Sequence, residues 1–126
     1  MNPVLSQIKL TPIGHILGYP ASCVFIPRAV FDEYHLRAFD CTVIVEYLEI
    51  CRFVVKDKDR GKGHGSRLLS DLDAWAKERG LRLCLSPVPY YTTPECTQER
   101  LISFYMKNGF IDVPDGMWCP EAMFRP

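Results

Sequence analysis

The stretch DRGKGHGSRLL, residues 59–69, places three glycines and several cationic side chains directly before an apolar helical pattern. The first turn of a helix has N–H groups without intrahelical partners, and the helix dipole is positive at this end. Glycine lets the backbone approach a ligand closely, and Arg60 and Lys62 add positive charge. These residues therefore predict a site for an anion, and a diphosphate is the natural ligand.

The spacing of the glycines excludes two common nucleotide-binding loops. A Walker A loop needs a GK pair followed by Ser or Thr, whereas Lys62 is followed by Gly63, and the dinucleotide fingerprint GxGxxG fails because the glycines run GxGxG. A third alternative is that the loop binds the phosphates of a nucleic acid, which predicts salt-sensitive binding of DNA or RNA. Lys plus Arg and Asp plus Glu each number 15, and this zero formal net charge argues against nucleic acid as a partner.

Two strands and a helix are predicted to position the loop. Residues 42–55, TVIVEYLEICRFVV, predict one long bent strand or two strands joined by a bulge. A helix begins near Gly65 and ends at Gly80, and LRLCLSPV, residues 81–88, predicts the next strand, ended by Pro87. This order implies a right-handed βαβ unit with parallel strands. The apolar face of the helix consists of Leu68, Leu69, Leu72, Trp75 and Ala76.

A second helix is expected after this unit, with Thr93 as its N-cap and Pro94 as its first helical residue. Gly109 stands where a C-terminal glycine is expected. The apolar stripe of this helix consists of Leu101, Ile102 and Tyr105.

The two ends of the chain give weaker signals. Residues 110–113 and 117–124 predict short terminal strands around a turn. Near the N-terminus, HILGYP (15–20) and SCVFIP (22–27) indicate strands, and RAVFDEYHLRAF (28–39) is compatible with a helix or a strand.

The pattern RxxGxG at Arg60, Gly63 and Gly65, after an apolar strand ending at Val55, resembles the acetyl-CoA-binding motif of the GNAT superfamily of N-acetyltransferases. LISFYMKNGF, residues 101–110, is similar to the second motif of that family. The resemblance rests on these two motifs, which occur in the same order as in the family. It implies that the ligand of the glycine-rich loop is acetyl-CoA, used as a cosubstrate.

The resemblance covers about residues 47–110, roughly half of the chain. It implies an α/β (mixed α+β) fold with a twisted mixed sheet, antiparallel in its N-terminal part, with one splayed pair of parallel strands and helices on both faces. It also implies one domain over residues 1–126 with a short N-terminal region on the acceptor side. In the family, the pantetheine arm lies along the strand before the loop, here Phe53, Val54 and Val55. The residues implied to hold the pyrophosphate are Arg60, Gly61, Lys62, Gly63, His64, Gly65 and Ser66.

Glu49 falls six residues before Val55, where some family members carry a general-base glutamate. A carboxylate among apolar neighbours has a raised pKa, which suits it to accept a proton from an ammonium group. The alternatives are a salt bridge, for example with Arg52, and Glu46 as the base. Without a bulge, strand alternation puts Glu49, Cys51, Phe53 and Val55 on one face.

Tyr105 in SFYMKNGF matches the tyrosine that lies near the sulfur of coenzyme A in many family members. A phenol can protonate the departing thiolate, so the resemblance implies a catalytic role as general acid. The alternative is that this side chain belongs to the core. His64 is interpreted as a solvated loop residue and not as a base.

The six cysteines are scattered, and they predict reduced core residues, including Cys51 and Cys84, and not disulfides or nucleophiles. No CxxC or HExxH spacing occurs, so no metal is expected. No run reaches the about 18 to 20 apolar residues that span a membrane, and we expect a cytoplasmic protein without a membrane partner.

The resemblance implies an acetyl-CoA-dependent N-acetyltransferase acting on an amine of a small molecule, peptide or protein. The alternative is a non-catalytic GNAT-fold protein that binds coenzyme A or a protein partner. Two departures favour the alternative: PYYTTPECTQ, residues 89–98, lacks the asparagine of many relatives, and the N-terminal part is short. The acceptor pocket is accordingly open, reduced or completed by a second subunit, as in a homodimer. Tyr90 and Tyr91 are candidates for contacting the acceptor or for an ordinary turn.

Overall fold

The computed structural model describes residues 2–87, 97–112 and 122–126, which form three α-helices and a seven-stranded sheet. The helices are α1 (Arg28–Glu33), α2 (His64–Glu78) and α3 (Gln98–Lys107). The strands are β1 (Lys9–Ile16), β2 (Tyr19–Phe25), β3 (Leu36–Ile44), β4 (Tyr47–Val55), β5 (Arg82–Leu85), β6 (Ile111–Asp112) and β7 (Met123–Phe124). Short 3-10 helices, Pro3–Gln7 and Asp57–Asp59, precede β1 and follow β4.

The strands lie in the order β1-β2-β3-β4-β5-β7-β6. Neighbouring strands pair antiparallel except β4 and β5, which are parallel and are connected through α2. The predicted βαβ unit is therefore confirmed. The mixed α/β fold with an antiparallel N-terminal part and one parallel strand pair is confirmed as well.

Helix α2 forms as its sequence predicts. Gly63 takes the N-cap position with φ 83°, and Gly80 ends the helix with φ 71°, so both ends use a backbone conformation that glycine adopts without strain. The five predicted apolar positions are all buried, and Trp75 is fully enclosed. Burial of this face attaches the helix to the sheet and fixes where its N-terminus lies.

The segment 42–55 is a hairpin, so the prediction of one bent strand or two strands joined by a bulge is wrong. β3 ends at Ile44 and β4 begins at Tyr47, with Val45 in the turn at φ 59°. β-branched residues rarely adopt positive φ, so the sequence carries no turn signal here. The Val45 N–H donates to the carbonyl of Pro20 at 2.9 Å, which holds the turn against β2.

A bulge lies within β4. Ile50 pairs with Cys41 and Arg52 pairs with Asp40, which leaves Cys51 as the extra residue. Beyond the bulge the alternation of faces is reversed, because a bulged strand presents two residues to one of its partner. Glu49 and Phe53 therefore lie on opposite faces of the sheet, and the predicted shared face is wrong.

The N-terminal segments also differ from their predictions. Residues 15–20 contain the end of β1, a turn at Leu17 and Gly18 with φ 52° and 84°, and the start of β2. Positive φ at both turn residues matches the twist of a tight hairpin. Residues 28–39 divide into helix α1 and the start of β3, so both interpretations hold for part of the segment.

The β1–β2 hairpin is unusual in its surface. Residues 10–27 contain no Asp, Glu, Lys or Arg, although charged residues make up 24% of the chain. Leu17 is 93% exposed at the turn. Further large apolar side chains exposed on this hairpin are Ile13, Ile16, Tyr19 and Phe25.

Helix α3 begins later than predicted. Thr97 is its N-cap, with the side-chain oxygen accepting the Arg100 N–H at 3.2 Å. The predicted cap, Thr93, and Pro94 lie outside the described residues. Gly109 ends the helix with φ 92°, as predicted, and the Phe110 N–H donates to the carbonyl of Tyr105 at 3.0 Å. This closure brings Phe110, almost fully buried, into the core.

Candidate functional site

The parallel strands β4 and β5 separate partway along their length. Their pairing covers only Tyr47–Glu49 and Arg82–Cys84, and β4 continues to Val55 without a partner on that side among the described residues. A cavity of about 500 Å³ lies at this gap. It gives the free edge of β4 access to a ligand, as the predicted splay implies.

The cavity brings together most of the predicted site residues. Neither Glu49 nor Lys62 is among the described residues that line it. The predicted residues that do line it are Phe53, Val54, Val55, Arg60, Gly61, Gly63, His64, Gly65, Ser66 and Tyr105. One cavity thus joins the strand edge, the glycine-rich loop and helix α3.

The loop shows why glycine is needed. Gly61 and Gly63 have φ 77° and 83°, and a Cβ at either position would meet no atom within 4 Å. Glycine is therefore required for the backbone conformation and not for space. Both cationic side chains of the loop contact carboxylates. Arg60 pairs with Asp57 at 3.0 Å, and Lys62 pairs with Asp59 at 3.6 Å.

Gly65 is required for a different reason, which is close contact. A Cβ built at Gly65 would lie 3.3 Å from ring carbons of both Phe53 and Phe104. The first turn of α2 therefore rests directly on side chains from β4 and α3. This contact fixes the helix N-terminus at one end of the cavity.

We expect Gly65→Ala to lower the free energy of unfolding by about 1 kcal/mol, because two aromatic rings must shift to admit the methyl group. Urea denaturation measures the change. Ser66→Ala, one residue further along the same helix, is the matched control and should cost less. Equal stability of Gly65→Ala and the wild type would show that the rings move freely.

Tyr105 is 6% exposed and lines the cavity. Its ring makes edge-to-face contacts with Phe104 and Phe110, at centroid distances of 5.3 and 5.4 Å. Aromatic packing on two sides holds the ring in one position. Tyr105 is thus a core residue that also lines the cavity, and its role as a proton donor stays a prediction.

Glu49 is the last residue of β4 that pairs with β5, so it lies where the two strands part. Its side chain is half-buried, and burial raises the pKa of its carboxyl above the ordinary value. The Arg52 guanidinium lies 3.1 Å from Asp40, so the salt bridge considered for Glu49 is made with another carboxylate. Glu46, the other candidate base, is exposed in the hairpin turn.

Sequence reasoning missed several residues of the cavity wall. Cys51 is exposed and lines the cavity, so its interpretation as a core residue is wrong, whereas Cys84 is buried as predicted. Cys51 is the extra residue of the bulge, and a bulge leaves no clear signal in the sequence. Asp59 and Phe104 also line the cavity. Asp59 directly precedes the first motif and Phe104 lies within the second, which was the available signal.

The wall as a whole suits an extended ligand with an anionic end. On the side that faces β5, no described strand pairs with β4 beyond Glu49, and the N-terminus of α2 lies beside two glycines with positive φ. Across residues 2–87, 97–112 and 122–126, no group of three or more His, Cys, Asp and Glu could hold a metal ion. No helix in these ranges is long and apolar enough to cross a membrane.

Comparisons with known proteins agree with this geometry. The profile of the acetyltransferase (GNAT) domain family matches residues 23–112. No curated protein sequence matches the chain. The solved anti-CRISPR protein AcrVA5 is similar over 70% of this chain and 87% of its own, with 26% identity and a TM-score of 0.57.

Two further solved structures are similar at lower TM-scores. The PaiA N-acetyltransferase of Thermoplasma acidophilum, in complex with coenzyme A, is 25% identical over 69% of this chain and 50% of its own, with a TM-score of 0.48. A Bacillus subtilis acetyltransferase in complex with coenzyme A is 16% identical over 94% of this chain and 98% of its own, with a TM-score of 0.45. The profile match alone spans most of the chain and includes both sequence motifs. The chain therefore belongs to the GNAT family, and it is an N-acetyltransferase that uses acetyl-CoA as its cosubstrate.

Proposed function

We propose that residues 1–126 act as a single domain that transfers the acetyl group of acetyl-CoA directly to an amine of a small molecule, peptide or protein. One observation carries this proposal: a single cavity is lined by the free edge of β4, by the glycine-rich loop and by Tyr105. These are the parts needed to hold an extended thioester and to assist its cleavage. Direct transfer needs no nucleophile of the protein.

The residues fit acetyl-CoA in two respects. The backbone of residues 60–66 and the N-terminus of α2 would hold the pyrophosphate, since Gly61 and Gly63 expose backbone groups there. Phe53, Val54 and Val55 would lie along the pantetheine arm, because no described strand pairs with this side of β4. The thioester would then lie further along β4, toward the point where the strands part.

The amine must lose a proton before it attacks the thioester carbonyl, and the thiolate that leaves must gain one. We assign the first proton to Glu49, acting through an intervening water because its side chain does not line the cavity among the described residues. The raised pKa of Glu49 makes its carboxylate a stronger base than that of an exposed glutamate. Tyr105 donates the second proton, to the thiolate.

The first test is binding. Acetyl-CoA at about 100 times its dissociation constant should raise the free energy of unfolding by about 2.7 kcal/mol, which a thermal shift measures. Absence of any shift at millimolar acetyl-CoA would contradict the proposed site. Release of free thiol across a panel of amines then measures transfer and identifies the acceptor. Binding without thiol release on any amine would favour the non-catalytic alternative.

A matched pair of glycines tests the location of the site. Gly63 in the loop and Gly18 in the distant hairpin have φ 83° and 84°, and a Cβ at either would contact nothing within 4 Å. Gly63→Ala and Gly18→Ala should therefore lose similar stability, about 1–2 kcal/mol each. Only Gly63→Ala should show a reduced shift with acetyl-CoA. An equal response of the two variants would place the ligand elsewhere.

A further inference from the structure

The cavity wall contains a carboxylate at the end proposed to bind phosphates. Asp59 lines the cavity and is only 8% exposed. An uncompensated anion at this position would repel the pyrophosphate, and poor access to water would strengthen the repulsion. Binding of a polyanion by this loop therefore requires that the negative charge of Asp59 be offset.

Two basic side chains contact Asp59 from different parts of the chain. Nδ1 of His35 lies 3.1 Å from one carboxylate oxygen, and Nζ of Lys62 lies 3.6 Å from the other. Lys62 belongs to the loop itself. His35 comes from the connection between α1 and β3, so it links the loop to the N-terminal half of the sheet.

Three features of the structure fix the position of His35. Its φ of 54° is rare for a residue other than glycine, and its carbonyl accepts the Lys56 N–H at 2.8 Å. Its ring stacks on that of His64, the first residue of α2, with centroids 4.0 Å apart. A single side chain thus contacts both Asp59 and the helix N-terminus.

We propose that His35 is a positioning residue for the coenzyme loop: it holds Asp59 in place and, together with Lys62, offsets its charge, so that the anionic end of acetyl-CoA binds beside it. This inference rests on the proposed role of the loop in holding the pyrophosphate. It assigns a role in coenzyme binding to a residue outside both sequence motifs.

The surrounding charges agree with this role. Burial acts to raise the pKa of Asp59, but the hydrogen bond and charge of His35 and the charges of Lys62 and Lys58 outweigh it and lower this pKa. Burial, followed by the charges of His35 and Arg67, lowers the pKa of His64. The lowered pKa of Asp59 agrees with a carboxylate that His35 and the two lysines stabilise in its ionised form.

Another charged group near the pair is Glu33, which has partners of its own. Arg67 lies 2.9 Å from Glu33, and the same carboxylate accepts a hydrogen bond from Asn2 at 2.6 Å. The carboxylate that His35 contacts directly is therefore Asp59, which lines the cavity.

The test compares acetyl-CoA affinity in His35→Asn, Asp59→Asn and the double variant. Asparagine tolerates positive φ, so His35→Asn removes the imidazole and preserves the backbone. We expect the dissociation constant to rise about tenfold in His35→Asn, and to return close to the wild-type value when Asp59→Asn is added.

His15→Asn, an exposed histidine of β1, is the control for histidine removal and should bind as the wild type does. Unchanged affinity in His35→Asn would overturn the inference, and so would a double variant weaker than both single variants, which indicates a structural role alone. If His35→Asn does not fold, Asp59→Asn alone decides: it should bind acetyl-CoA at least as tightly as the wild type, and weaker binding overturns the inference. Failure of the wild type to bind acetyl-CoA would instead contradict the proposed function.

Discussion

Tyr105→Phe is expected to lower kcat for acetyl transfer by about 100-fold, with little change in the KM for acetyl-CoA. Positioned proton donors contribute about 100- to 10,000-fold to such reactions, and this substitution removes only the donor. The ring should stay in place because Phe104 and Phe110 pack against it and Tyr105 is almost completely enclosed. Steady-state kinetics with a thiol reagent separates the two constants.

Tyr34→Phe is the matched control, since it also removes one phenolic oxygen from a buried ring. The Tyr34 hydroxyl donates to Asp71 at 2.7 Å, and Tyr34 is not among the described residues that line the cavity. This variant should lose stability, by about 1.5 kcal/mol, because Asp71 loses a charge-assisted hydrogen bond. Its kcat should not change. If Tyr105→Phe keeps full kcat, Tyr105 has no role as a proton donor and belongs to the core alone.

Glu49→Gln is expected to lower kcat by about 100-fold and to remove the acidic limb of the pH profile. A base works only when ionised, so wild-type activity should fall as the pH drops through the pKa of Glu49, which burial has raised. In the variant no carboxylate titrates at this position, so the limb should be absent. Measuring kcat against pH for both proteins tests the assignment.

Stability distinguishes this role from a structural one. Because the pKa of Glu49 is higher in the folded chain, the folded state binds more protons than the unfolded state between the two pKa values. Stability therefore falls as the pH rises through this interval, and the ionised carboxylate is destabilising at neutral pH. Glu49→Gln should be at least as stable as the wild type at pH 7. A clear loss of stability would indicate that Glu49 forms a stabilising ion pair.

Glu46→Gln is the control for charge removal near the same strand. Glu46 is exposed in the turn between β3 and β4 and was the other candidate base. The Glu46→Gln variant should retain both kcat and the acidic limb of the pH profile. Loss of the limb in Glu46→Gln, with Glu49→Gln unaffected, would transfer the role of base to Glu46.

Local signals predicted the elements whose ends and faces are set by neighbouring residues. Helix α2 has an apolar face of the right period and a glycine at each end, so sequence and structure agree. The start of α3 could not be chosen in the same way, because TTPECT contains several possible caps and the helix uses Thr97. The turn at Val45 depends on a hydrogen bond to Pro20, a contact with another strand.

The residues of the candidate site also differ in whether neighbouring residues in the sequence predict their positions. The glycine-rich loop and the position of Tyr105 follow from spacing, since each lies within a motif of consecutive residues. Whether Glu49 and Phe53 share a face depends on the bulge at Cys51, because one inserted residue reverses every side chain beyond it. The contact between His35 and Asp59 joins residues that are distant in sequence, so no local pattern predicts it.

The attachment of the β1–β2 hairpin has a consequence for local unfolding. Only three residue pairs, Ala21–Cys23 with Thr42–Ile44, join β2 to β3, and most hairpin side chains are exposed. Segments with few buried contacts open at a lower free energy than the rest of a domain. No described residue of this hairpin lines the cavity. We therefore expect the hairpin to exchange its amide hydrogens sooner than α2 does, and to open while the coenzyme cavity keeps its shape.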